Sequence, residues 1–541
     1  FCQLFLVLPT CGLTNPFDLW EKYKDDLSED ILHKYKKENS DASFSLVQIE
    51  DNVISMANKD VSHFGLPKPK RDTEIFDQLF KEQNYDISEL QNFVSKIEPL
   101  LHTEQRTVFR KVTKKIAKQK GALYYLDAPA YIRKNKDVAI AVASLGIAAT
   151  LLQGGRTAHS MLNLHLNLSQ VESPTCNIKK SSSKCTLLKK CKLLVRDEIT
   201  MSHKKAVEAL NRSLQDLRNN SEIMGGMVVL LAGDFRQILP IVPSGTPADE
   251  INACLKSSFL WKSAVKLSLI TNMRVVLKND QDAEFFSNKL LQIGQGDIET
   301  DSDGNIDVSK IFSNMLYSED ELIDKVYPNL IENYLIDDWL CGRAILAPKN
   351  STVNEINDKI LKRLPGHAST YSSIDTVINT EESTAYPVEF LNTVDMPGVP
   401  SHKLNLKKGA TVILMRNIAP PKLCNGTRLK ISELGENIIE ATIITGSNNG
   451  EFVLIPRIPI IPTNLPFQFK RLQFPLKLTF AMTINKAQGQ TLLEVGLNLK
   501  EPCFSHGQLY VACSRVPSDR NLHIFTPNGK TRNLVYKNVL N

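Results

Sequence analysis

Between residues 101 and 275, five short apolar runs alternate with longer stretches of helical spacing: ALYYLD (122–127), VAIAVAS (138–144), CKLLVRDE (191–198), MVVLLAGD (227–234) and VKLSL (265–269). A strand with one face in water alternates apolar with polar residues, whereas near-continuous Val/Ile/Leu runs mark strands covered on both faces. Such runs separated by helices predict an α/β fold with a parallel sheet. Ligands of open α/β sheets sit beyond the carboxyl ends of the strands. Chemistry is therefore to be sought at Asp127, Ser144, Asp197 and Asp234.

A chain of 541 residues is too long for one core. Residues 1–100 read as a helical, solvated segment, and 101–275 as the first α/β domain. A second α/β pattern covers 276–402 and 471–541, with RAILAPKN and LKLTFAMT as strand candidates. Between its two parts, residues 403–470 carry alternating β-type residues broken by Asn-Gly turns, the pattern of a small β barrel. The apolar amino end, FCQLFLVLP, reads as a cut through a longer polypeptide. No apolar run is long enough to predict a membrane helix. Ten cysteines without a C-x-x-C pair suggest neither a zinc knuckle nor a redox motif and fit a reducing compartment. A net charge of +6 permits nucleic-acid binding without arguing for it.

Asp197 and Glu198 close an apolar run. At a strand exit beside phosphates, the first carboxylate can hold magnesium and the second can polarise an attacking water. Asp234 closes the next run, and Gln237 follows it at short range; an uncharged amide there can feel the loss of a terminal phosphate. Either stretch alone reads equally well as a solvated turn, and their order in one chain favours the catalytic reading. Arg274 and Arg515 are candidates for neutralising charge on a transferred phosphoryl group, although most arginines are merely solvated.

With these stretches in view, DEITM (197–201), GDFRQILPIVP (233–243), TNMR (271–274), TINKAQGQTL (483–492) and GQLYVACSRV (507–516) resemble, in order, the motifs of the petite-integration-frequency (Pif-type) DNA helicases. Within that family the chain looks most like the helicase of Helitron rolling-circle transposons. The resemblance implies an ATP-dependent motor moving 5′ to 3′ on single-stranded DNA and acting at duplex junctions, monomeric and nuclear. It also implies two RecA-like parallel-sheet domains, the second carrying an SH3-like β-barrel insertion. By resemblance, Gln105 in HTEQRTVF reads adenine, and Ala128, Pro129 and Gly489 border the nucleotide. Asp197 holds Mg²⁺, Glu198 positions water, Gln237 senses the γ-phosphate, and Arg274 and Arg515 close over it. Ser144 and Gly146 in ASLGIAAT, and Thr157 and His159 in GRTAHS, line the DNA groove. Thr483, Lys486 and Gln488 connect DNA to nucleotide. The bland readings are a core His159 and a solvated Lys486 or structural His506. Leu145 stands where relatives carry a small hydroxyl residue, and Arg196 where they carry an aromatic.

One part is missing. The strand YYLDAP should run into a glycine-rich loop ending in Gly-Lys-Thr, whose backbone amides and lysine cradle the phosphates. Here Ala128 and Pro129 match the start of that loop, and AYIRKNKDVAIAVAS resumes near the end of the following helix. The phosphate loop is thus read as deleted near residues 129–130. The Gly-Lys-Thr at 529–531 is a decoy, with Ile524 in place of the first glycine. So short a connection predicts a cramped turn or a frayed first strand. It also predicts weak or absent ATP turnover, and the alternative function is that of a non-enzymatic single-stranded-DNA-binding remnant of a transposon helicase.

Overall fold

The computed structural model describes residues 17–18, 21–22, 50, 61–64, 66–68, 87–118, 121–125, 138–144, 146–152, 155–164, 168, 171–242, 245–269, 281–378, 386–396, 398–419, 422–446, 448–462, 465 and 467–540. Asp127, Ala128, Pro129, Leu145 and Arg274 lie outside the described residues, as does most of the segment 1–100 expected to be helical. What is described of that segment includes a helix at Ile87–Ile97 and 3₁₀ turns at Val61–Phe64 and Glu98–Leu100. The chain divides into two compact units: one comprises residues 1–74, 329–341 and 354–480, the other 75–328, 342–353 and 481–541.

The larger unit holds two parallel sheets. The first contains β1 (Ala122–Tyr125), β2 (Val138–Ala143), β3 (Arg156–Thr157), β4 (Cys191–Asp197), β5 (Val228–Leu231) and β6 (Val265–Lys266), in the order β3-β2-β4-β5-β1-β6. Alternate residues feed opposite faces. Leu194, Val229, Leu231, Ile140 and Val142 pack with Leu187, Leu188, Val207 and Leu210 from helices Ser183–Lys190 and Lys204–Arg218. Leu193, Val195, Val228, Leu230 and Tyr124 pack with Val108 and Val112 of helix Thr103–Ala117. Burying each such aliphatic side chain stabilises the fold by roughly 1.5–3 kcal/mol, which is why both faces are dominated by apolar residues.

β1 is not frayed: it pairs over its whole length with β5 and over Tyr124 and Tyr125 with β6. The expected cramped turn falls on residues 126–137, outside the described residues; the strands it joins, β1 and β2, have β4 and β5 between them. Three strand spacings amount to about 14 Å, and twelve residues (126–137) reach roughly 40 Å when extended. Twelve residues are therefore enough chain to close the sheet.

In the second sheet the strand order is Ala481–Thr483, Arg343–Ala347, Glu494–Asn498, Leu522–Phe525, Met315–Leu316, all parallel. Its core joins Ala344, Leu346, Val495, Leu497 and Ile524 to Phe286, Ile293 and Val511.

The smaller unit is antiparallel. Phe452–Pro456, Ile438–Ile443, Arg428–Leu434, Thr411–Leu414 and Leu476–Leu478 form one sheet in that order, with a bulge between Ile431 and Glu433. Ile374–Val377, Phe469–Gln473 and Ile458–Ile460 form a second, and Ser369–Ser372 pairs with Lys403–Leu406. Antiparallel structure thus runs from Ser369 to Leu478, wider than the expected 403–470. Asn-Gly turns flag hairpins, and the flanking strands carry none. The run LKLTFAMT also divides, Leu476–Leu478 joining the antiparallel sheet and Ala481–Thr483 the parallel one. A fully buried ion pair ties this unit together: Arg471 Nη2 lies 2.7 Å from Asp375 Oδ2, and its remaining donors reach the carbonyls of Leu391, Val394 and Pro400.

Candidate nucleotide and DNA site

The carboxyl edge of the first sheet presents, strand by strand, Thr157 (β3), Ser144 (β2), Asp197 and Glu198 (β4), and Gly233 and Asp234 (β5). Register places Ala143 opposite both Thr157 and Asp197. Ser144 N–H donates to the Asp197 carbonyl at 3.2 Å, tying the ends of β2 and β4 together. Glu198 adopts a left-handed conformation (φ 48°), costly for a side chain other than glycine, so the chain turns sharply where the two carboxylates sit. Its N–H donates to Asp197 Oδ1 at 2.8 Å.

The second sheet of the same unit supplies the facing groups. Thr483 ends strand Ala481–Thr483 and opens a 3₁₀ turn in which Lys486 is exposed. Gln488, fully buried, donates from Nε2 to Glu198 Oε2 at 3.0 Å. Gly489 is left-handed (φ +77°), and a Cβ there would stand 3.7 Å from Glu198 Oε1. Arg515 is buried, and its guanidinium donates to the carbonyls of Val511 (2.8 Å), Gln490 (3.1 Å) and Ala487 (3.4 Å) and to Ser514 Oγ (2.7 Å).

These surroundings set the electrostatics. Burial raises the Asp197 pKa above the usual carboxylate range. Burial, then the neighbouring Asp197 charge, raises that of Glu198, while the Gln488 hydrogen bond and the Arg515 charge pull it back. A carboxylate held high is suited to taking a proton from water.

The Asp234 side forms a second contact between the two sheets. Tyr510 Oη donates to Asp234 Oδ2 at 3.0 Å, and burial with this carboxylate pushes the phenol up to about 12. His506 Nδ1 accepts from Tyr536 N–H at 2.8 Å, so Nε2 carries the proton and donates to the Phe235 carbonyl, also at 2.8 Å. Gly507 is left-handed (φ +68°), and a Cβ there would lie 2.2 Å from the Arg236 carbonyl oxygen. Gln237 has a buried Oε1 with no hydrogen-bond partner, as does Gln488. An orphaned acceptor suits a water or a metal-bound water. A cavity of about 730 Å³ opens beside Tyr125, Asp234, Phe235 and Arg236 and continues to Leu267–Leu269, Gln295, Asp297, Lys537 and Leu540.

The structure therefore brings together Asp197, Glu198, Gln488, Gly489 and Arg515 from the expected set, and places Gln237 beside Asp234 and Gly507. Ser144, Gly146, Thr157 and the exposed His159 follow along the same edge, Thr157 capping the helix that carries His159. Gln105 Oε1 accepts from His102 N–H at 3.0 Å at the start of helix Thr103–Ala117, a capping role that its sequence context also explains. Gly529, Lys530 and Thr531 occupy no phosphate loop: Lys530–Arg532 pairs antiparallel with Asn305–Asp307, and Lys530 Nζ lies 3.0 Å from Asp301 Oδ2. Sequence reasoning missed Tyr510 and Gly507 as contacts between the sheets. A signal for Gly507 was available in GQLYVACSRV, whose glycine precedes a helix where no turn residue is otherwise required; none was available for Tyr510.

Among the described residues no cluster of three metal-ligating side chains exists. Magnesium needs none, since it keeps several waters and uses one or two carboxylates with substrate phosphates; Asp197 with its oxygen-rich surroundings fits that ion.

Two parallel sheets in one unit, with an Asp-Glu pair on one and a Gln-Gly turn and buried arginine on the other, define a RecA-like helicase fold. The description of PIF1-like helicases matches residues 100–304, and that of the 2B domain of the DNA helicase Pif1 matches 389–434. Over those residues the chain is similar to the PIF1-like helicases. It is 26% identical over 447 residues to the ATP-dependent DNA helicase Pif1 of Psychrobacter sp., covering 74% of this chain and 63% of that protein. With the ATP-dependent DNA helicase PIF1 of Candida albicans it shares 25% over 487 residues, 73% of this chain and 49% of the relative. The chain thus spans about half to two thirds of these relatives' lengths. Its fold is similar to that of a Bacteroides Pif1 helicase solved with ADP-AlF3 and single-stranded DNA (TM-score 0.52, 20% identity, 77% of this chain and 91% of that one).

Proposed function

We propose that the chain is built as an ATP-dependent DNA helicase of the Helitron type, a monomeric motor moving 5′ to 3′ along single-stranded DNA and opening duplex junctions in the nucleus. The observation that carries this reading is the 3.0 Å bond from Gln488 to Glu198: a turn following the DNA-side strand of the second sheet touches the water-polarising carboxylate of the first. The relatives' printed names, and a neighbour solved with ADP-AlF3 and single-stranded DNA, support ATP and single strands as ligands. ATP with magnesium supplies the phosphoryl group whose hydrolysis drives the motor. Asp197 holds the metal, Glu198 orients and deprotonates water, and Gln237 offers its unpaired oxygen to the same water shell. Arg515 holds positive charge beside Glu198. Ser144, Gly146, Thr157 and His159 hold the DNA backbone, with Thr483 and Lys486 opposite. The antiparallel unit fills the place of the SH3-like insertion.

The glycine-rich loop is absent from the sequence between Asp127 and Val138, and this reading includes its consequence. Losing one preorganised donor to a developing oxyanion commonly costs about 10²–10³ in rate; losing a phosphate cradle costs more. Turnover is therefore weak or nil, and the retained activity is single-strand binding. Phosphate release stimulated by single-stranded DNA is the test. A rate indistinguishable from that of Glu198→Gln, with salt-dependent binding of single strands insensitive to ATP, is expected. Release at tens per second, abolished by Glu198→Gln, would overturn the inactive reading and leave the motor reading standing.

A further inference from the structure

The sheet edge opposite the carboxylates carries a different kind of surface. Helix Thr103–Ala117 buries Val108 and Val112, and its solvent wedge consists of Thr103, Thr107, Arg110, Lys111, Lys114 and Ala117, with Lys118 continuing the line as its C-cap. No carboxylate interrupts that wedge, so it is not the alternating-charge face of an ordinary solvated helix. Arg110, Lys114 and Lys118 are spaced i, i+4, i+8 and form a stripe about 12 Å long. Four residues (118–121) separate the helix from β1, at the amino edge of the sheet. On the opposite face, helix Ser183–Lys190 runs directly into β4, bringing the exposed Lys189 and Lys190 to the same edge. β1 and β4 are separated by β5 alone, so the two lysine groups flank roughly 10 Å of sheet edge. Lysines in a last turn offset the helix dipole. Arg110 and Lys111 lie too far from the helix end for that explanation.

We propose that Arg110, Lys111, Lys114, Lys118, Lys189 and Lys190 form a docking strip for the backbone of duplex DNA, on the edge of the first sheet opposite the nucleotide and single-strand site. Duplex DNA is the occupant because its charge density is high, one negative charge per ~1.7 Å of axis, matching closely spaced cations. Single strands are held by aromatic stacking as well as charge, and this strip presents no exposed aromatic side chain. The strip does not depend on ATP turnover, so it serves an active motor and a binding remnant alike, holding a duplex while the opposite edge holds a strand.

The test is fluorescence anisotropy of the full chain with a labelled blunt 20-base-pair duplex and, separately, a poly-dT single strand, between 50 and 200 mM salt. Lys114, Lys118, Lys189 and Lys190 are changed together to Gln; a control chain carries the same change at Lys310, Lys325, Lys362 and Lys403, also exposed. Each lost phosphate contact lowers the slope of log K against log salt by about 0.9. The strip variant is expected to lose up to about 3.6 from the duplex slope and at least tenfold in duplex affinity, with single-strand affinity and the control unchanged. Equal losses for duplex and single strand, equal losses in the control, or a wild-type chain that binds no duplex would each overturn the proposal. So would loss of binding to phosphatidylserine vesicles with duplex binding intact, which would assign the strip to a membrane surface.

Discussion

Gly507→Ala probes how the two parallel sheets meet. Gly507 has φ +68°, and an added Cβ would sit 2.2 Å from the Arg236 carbonyl oxygen and 2.8 Å from the Gln237 backbone. Ordinary contact begins near 3.4 Å, so the backbones must part by more than about 1 Å. That shift breaks the hydrogen bonds His506–Phe235 and Tyr510–Asp234, at 2.8 and 3.0 Å. One is a neutral bond, worth about 1 kcal/mol, and the other ends on a carboxylate, worth about 1.5–3 kcal/mol. The left-handed backbone adds about 1–2 kcal/mol for any residue with a Cβ. Gly529 isolates that last contribution: its φ is +67°, and nothing lies within 4 Å of the Cβ position. Gly529→Ala is expected to destabilise by about 1–2 kcal/mol and Gly507→Ala by about 3.5–6 kcal/mol. The gap of roughly 2.5–4 kcal/mol corresponds to an increase in local opening of about 70- to 900-fold. Amide hydrogen exchange in peptides covering 234–238 and 506–511 measures it without requiring ATP turnover. Equal protection in the two variants, within about 0.5 kcal/mol, would refute the reasoning.

Acid should loosen the same contact. Burial lowers the His506 pKa below its ordinary 6.5, so the neutral ring contributes stability that is complete above about pH 6.5 and is lost as pH falls through the depressed value; a pH series of the same exchange experiment should show these peptides opening first, and in His506→Gln that dependence should flatten. In the antiparallel unit, Arg471→Met strands Asp375 without its buried counter-charge and should cost about 3–5 kcal/mol, read as accelerated proteolysis between residues 369 and 478. Wild-type resistance in that variant would show the pair to be dispensable.

Much of the larger unit was legible in the chain because covering both faces of a parallel sheet demands continuous apolar runs. β1, β2, β4, β5 and β6 all fall inside the runs picked out by that criterion. β3, two residues long, carries no such run and is recognisable only from its pairing with β2. Asp197 and Glu198 stand at a strand end where composition changes abruptly, Gln237 follows β5 by six residues, and Gln488 and Arg515 were picked out by motif order. What escaped depends on distance in sequence: Tyr510 meets Asp234 across 276 residues, and no local pattern encodes such a partner. Arg196 was marked as misplaced, and it is fully buried with Nη2 on Ser202 Oγ at 2.9 Å and two nitrogens unpartnered. Polar residues interleaved through the antiparallel unit blurred its boundaries, since half-exposed strands tolerate them.

The strand Arg343–Ala347 has both of its neighbours, Ala481–Thr483 and Glu494–Asn498, more than 130 residues downstream. During synthesis at about 5–20 residues per second, its sticky flanks wait on the order of 10–30 s for a companion. Ribosome-bound intermediates should therefore expose this segment to chaperones.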